Sequence, residues 1–128
     1  MGTRSRIGYQ LPTGNIVSVY HHWDSYPTWL GKRLTKNYIT DKTITELIDG
    51  GDMSSIESNR DWDLNEVAPH VQYYSQRGDT GCEPLLHKNQ REFIKTTVDC
   101  WGEYSYLYRN GRWFCYDEKG KSVSLKNL

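Results

Sequence analysis

Residues 104–116 run Tyr-Ser-Tyr-Leu-Tyr-Arg-Asn-Gly-Arg-Trp-Phe-Cys-Tyr. Asn-Gly is the dipeptide that most readily takes positive φ at two successive positions, as a two-residue type I′ turn demands. Alternating aromatic residues on both sides of Asn110-Gly111 predict a β-hairpin whose register the turn fixes. A chain committed in this way at its C-terminal end builds the rest of its fold on a sheet. Residues 4–11 alternate in the same manner, with Ile7, Tyr9 and Leu11 on one face and Arg4, Arg6, Gly8 and Gln10 on the other. Pro12-Thr13-Gly14-Asn15 has the chemistry of a turn. Residues 16–23, rich in β-branched and aromatic side chains, predict the returning strand. This second hairpin brings Arg4 and Arg6 towards His21, His22 and Trp23.

Between the hairpins the pattern becomes helical. Asp24-Ser25-Tyr26-Pro27 interrupts the strand, and Thr28 is placed to cap a helix through Trp29, Leu30, Arg33 and Leu34 towards Tyr38. A second helix is predicted from Thr40-Asp41, with Thr43 and Glu46 resembling a capping box and Ile44, Leu47 and Ile48 as its apolar stripe. Gly50-Gly51 ends it. Residues 52–69 read as irregular, pinned by Met53 and Ile56. Residues 71–76 predict a short strand, and residues 78–84 a loop. Asn89 is an N-cap for a third helix whose buried face would be Phe93, Ile94, Thr97, Val98 and Trp101. The expected order is ββ-αα-β-α-ββ. It corresponds to an α+β fold in which N- and C-terminal hairpins form an antiparallel sheet with about three helices packed on one side. Residues 1–118 would form one domain, and residues 119–128 a polar C-terminal tail.

Composition narrows the partners. Sixteen Lys and Arg balance sixteen Asp and Glu over 128 residues. A chain without net charge lacks the excess of cations that binding to duplex DNA requires. No apolar run reaches the length of a membrane span, and the N-terminus has no apolar signal region. The expectation is a cytoplasmic protein without membrane contact. Five Trp, ten Tyr and two Phe accompany a mean hydropathy of −0.82. The core must therefore be built largely from rings, with some left over for contact. Cys82, Cys100 and Cys115 are odd in number and lack metal-ligand spacing, so they read as reduced thiols.

Catalytic patterns are sparse. His21 and His22 are adjacent in a strand and point to opposite faces, so they cannot share a metal ion. His22 and Asp24 share a face, and they are the pair a small hydrolase would use. Gly78-Asp79-Thr80-Gly81 is too short and too acidic for a phosphate loop. No catalytic residue, metal ligand or cofactor is assigned. The remaining constellation is Arg4, Arg6, His22, Trp23, Asp24, Tyr26 and Arg33, with Trp29 and Lys32 nearby. Guanidinium groups hold phosphates through paired hydrogen bonds, and Trp and Tyr faces stack nucleobases. The expected partner is a small, nucleotide-like anion held in a pocket that a homo-oligomer could complete. The structural alternative has the arginines in surface ion pairs and Trp23 and Trp29 in the core.

The segments Met1-Gly2-Thr3-Arg4-Ser5-Arg6-Ile7-Gly8 and His22-Trp23-Asp24-Ser25-Tyr26-Pro27, with residues 47–55, 103–108 and 111–113, resemble a family of small proteins of tailed phages and bacteria. Its members open with M-[GS]-T-R-S and carry H-W-D-G-Y-P after the second strand. This chain departs at Ser25, where glycine is usual. The resemblance implies a phage accessory protein acting on its host, including host immunity. Two expectations follow from it: capture of a defence signal without turnover, or inhibition of a host enzyme or CRISPR effector by direct protein contact.

Overall fold

The computed structural model describes residues 3–58 and 69–125. Arg60 to Glu66, which include Trp62, fall outside the described residues. The hairpins form where the turns predict them. Strand β1 (Ser5–Gln10) pairs antiparallel with β2 (Ile16–His21). Strand β6 (Tyr104–Arg109) pairs antiparallel with β7 (Arg112–Tyr116). Asn110 and Gly111 adopt φ of 53° and 77°, as a type I′ turn requires.

The sheet is mixed, not antiparallel throughout. β1 runs parallel to β6, in register from Ser5 with Tyr104 to Tyr9 with Tyr108. Strand β3 (Met53–Ser58) runs parallel to β2 where His21 meets Met53, and pairs antiparallel with β4 (Pro69–Tyr73). Strand β5 (Leu85–His87) pairs antiparallel with the other end of β2. Strand β8 (Ser122–Val123) closes the order β4-β3-β2-β1-β6-β7-β8 beside β7. The segment after residue 118 thus supplies a strand, and Leu125 packs against the core. β3 lies in a stretch without clear alternation, which is why residues 52–69 read as irregular chain.

Helix α1 (Lys32–Asn37) follows a π-helical turn over Pro27–Gly31, and it has no side-chain cap at Thr28. Helix α2 (Asp41–Asp49) begins with a capping box, but Thr40 and Thr43 make it, each side chain bonding the other's backbone N–H. These two helices bury Leu34, Ile44, Leu47 and Ile48 against Ile7, Val19, Met53, Ile56 and Tyr106. Helix α3 (Gln90–Asp99) packs against the alternate side chains of the same strands. Its Phe93 joins Ile16, Leu107 and Tyr116 in a smaller cluster. Gly8 is required there, because a Cβ at that position would lie 2.9 Å from the Phe93 ring tip.

Trp101 lies outside the core, contrary to the helical spacing that placed it on the buried face of α3. It is 78% exposed, with φ of 67°. The helix ends at Asp99 with a Schellman motif, in which Trp101 N–H donates to the Val98 carbonyl at 3.0 Å and Gly102 N–H to that of Thr97 at 2.7 Å. Trp101 occupies the left-handed position that glycine usually takes. Trp101→Gly is therefore expected to stabilise the chain by about 1 kcal/mol, since it relieves the Cβ clash of that conformation. A lower urea midpoint in the variant would instead show that the indole contributes packing.

Candidate functional site

The predicted residues separate into three settings. Arg6 is drawn inside. It is 4% exposed, and its Nε donates to Ser18 Oγ at 2.8 Å while Nη2 donates to the Ser18 carbonyl at 3.1 Å. Ser18 Oγ in turn donates to His87 Nε2 at 2.6 Å. His87 Nδ1 lies 3.4 Å from Thr96 Oγ1, whose hydroxyl donates to the Glu92 carbonyl. The chain of donors runs one way, so His87 is neutral with its proton on Nδ1. Burial holds His87 below the ordinary histidine range, and the Arg6 charge adds to this. Ser18 is fully buried, so this serine–histidine contact faces no substrate. Arg6 stitches β1 to β2 under α3 and presents no cation to the surface.

Arg4, His22 and Trp23 do come together. The Tyr20 hydroxyl bonds His22 Nδ1 at 2.7 Å, and the His22 ring meets the Trp23 indole edge-on at 4.5 Å. His22 is held below its ordinary range, first by burial and then by the Arg4 charge. Trp23 is exposed, as is Asp24, whose φ is 55°. The Nδ1 nitrogen that a carboxylate would orient in a hydrolytic dyad is engaged by Tyr20.

Tyr26 and Arg33 belong to the third setting, around α1. Tyr26 is exposed and accepts the backbone N–H groups of Trp29 and Leu30 at its carbonyl. The Arg33 guanidinium lies 3.6 Å from the centroid of the Trp29 ring. Thr28, Trp29, Lys32, Arg33, Lys36 and Asn37 line a cleft of about 270 Å³. There is no carboxylate among these lining residues. Lys32 and Lys36 are exposed, one helical turn apart, with no carboxylate of the described residues within 4 Å. The sequence pattern missed Lys36 because it follows the aromatic-rich stretch, although its i,i+4 spacing from Lys32 was the available signal.

Ser25 is a structural hub. Its Oγ accepts from Ser5 Oγ at 2.8 Å and lies 2.8 Å from His21 Nδ1, and its carbonyl accepts the Tyr106 hydroxyl at 2.6 Å. Among the described residues no group of three or more His, Cys, Asp or Glu could hold a metal ion. No helix among them is long and apolar enough to cross a membrane. Compared with protein-family models, curated proteins and solved structures, the chain matches none.

Proposed function

We propose that the protein binds a small, nucleotide-like anion in the α1 cleft without turning it over. The observation that carries this reading is a concave site whose described lining has a Trp wall, the two exposed cations Lys32 and Lys36, and no carboxylate. Lys32 and Lys36 would neutralise phosphate oxygens, and the open side of Trp29 would stack the base at about 1–3 kcal/mol. Together with the resemblance to phage accessory proteins, the role is to capture a signal of a host defence system in the host cytoplasm.

A thermal-shift and calorimetric titration with linear and cyclic nucleotides tests this. Ligand at a hundredfold its Kd stabilises by about 2.7 kcal/mol, which is several degrees in Tm. In the double variant Lys32→Glu, Lys36→Glu the shift is expected to vanish while the ligand-free Tm stays within a few degrees. A shift that survives the double variant, or no shift with any nucleotide, overturns the reading.

A second reading, inhibition of a host protein by direct contact, draws on Trp101. An indole 78% exposed in a strained backbone position has the character of an interface anchor. Capture of a host enzyme that Trp101→Gly abolishes, with no nucleotide shift, would favour it.

A further inference from the structure

We propose that the open end of the β1–β2 hairpin, on the α3 side, is a second oxyanion site, which takes a phosphate group between Arg4 and His22 beside the Trp23 indole. It lies apart from the α1 cleft, whose lining includes none of these three residues. The backbone sets the juxtaposition. Ser5 pairs with His21 on one side and with Tyr104 on the other, so one step back along β1 places Arg4 next to His22 and Glu103. The Arg4 carbonyl accepts the Glu103 N–H at 2.7 Å, which pins this position without using its side chain.

Tyr20 prepares the imidazole. Burial pushes its hydroxyl up to about 12, so it stays protonated at neutral pH. It lies 2.7 Å from His22 Nδ1, within reach to donate to that nitrogen. With the hydroxyl as donor, the neutral ring carries its proton on Nε2, which makes that nitrogen a donor. The Arg4 charge lowers the proton affinity of both Tyr20 and His22, in keeping with the register that sets Arg4 opposite His22. Among the described residues no carboxylate comes within 4 Å of Arg4. A half-buried guanidinium beside a fixed N–H donor and an aromatic edge matches the three oxygens of a phosphate group.

The probe is inorganic phosphate at constant ionic strength and pH 7, followed by NMR at the His22 side-chain nitrogens and the Trp23 indole N–H. The free protein is expected to show the Nε2–H tautomer, and phosphate to shift both signals saturably in the millimolar range. Arg4→Gln should weaken this binding at least tenfold, with its backbone bond to Glu103 intact. Tyr20→Phe should release the tautomer and weaken binding several-fold. Lys32→Gln with Lys36→Gln should leave it unchanged, so failure here and failure of the cleft are distinguishable. If Arg4→Gln does not fold, His22→Gln, read at Trp23, gives the same test. Adenosine monophosphate binding more tightly than phosphate would identify a nucleotide as the source of the group, and equal affinity a free phosphate. Shifts that rise linearly without saturation, or that persist in Arg4→Gln, overturn the proposal.

Discussion

Phe93→Ala is expected to lower the folding free energy by about 3–5 kcal/mol, whereas Trp101→Ala changes it by less than 1. Phe93 is fully buried in the layer between α3 and the sheet, where Ile16, Leu107 and Tyr116 surround it. Gly8 has no side chain to fill the space the ring would leave. His87, 5.6 Å from Phe93 between ring centroids, would face the same void with its donor chain to Ser18. The cavity therefore cannot collapse cheaply. Trp101 is the larger ring, but it lies in solvent and loses little on truncation. Chemical denaturation of the two variants decides the order, and a Trp101→Ala loss as large as that of Phe93→Ala would contradict the placement of the end of α3.

The second large effect is acid lability through His21. The Ile56 N–H donates to His21 Nε2 at 3.2 Å, so that nitrogen is an acceptor and Nδ1 carries the proton towards Ser25 Oγ. Protonating the ring would break the Ile56 bond inside the core. Burial, with the neighbouring His22, lowers the His21 pKa from 6.5 to about 3. The unfolded chain therefore takes up a proton below about pH 6.5 that the folded chain refuses until about pH 3. Stability is full above that window and falls as the pH drops through it, by about 1.4 kcal/mol per unit, reaching several kcal/mol. His87 and His22 are shifted in the same direction, so the contribution of His21 is isolated by difference. His21→Gln is expected to be less stable than the natural chain at pH 7, with the gap closing towards pH 4. A gap that stays constant with pH would place the acid sensitivity elsewhere.

Local chemistry made the two hairpins, α2 and α3 legible, because turn dipeptides, caps and apolar spacing act within a few residues. The parallel pairing of β1 with β6 was not legible, since no short-range signal links Ser5 to Tyr104. Alternation correctly put Arg6 opposite Ile7. It could not reveal that α3 covers that second face and takes Arg6 out of solvent. The spacing of Phe93, Thr97 and Trp101 continued past Asp99, where the backbone turns left-handed and carries the last ring outward. The grouping of Arg4, His22 and Trp23 followed from hairpin register. The α1 cleft needed the π-helical turn, which no residue pattern announces.

The parallel pair has a consequence for synthesis. β1 is synthesised well before the strand that satisfies one of its edges, which begins at Tyr104. At roughly 5–20 residues per second, the nascent chain carries that open edge for about 5–20 s. β2 can close one side of β1 early, but the sheet's centre stays incomplete until β6 has been translated. Folding is thus timed by the last hairpin, and a chain cut short before Tyr104 would expose a template for pairing with other chains.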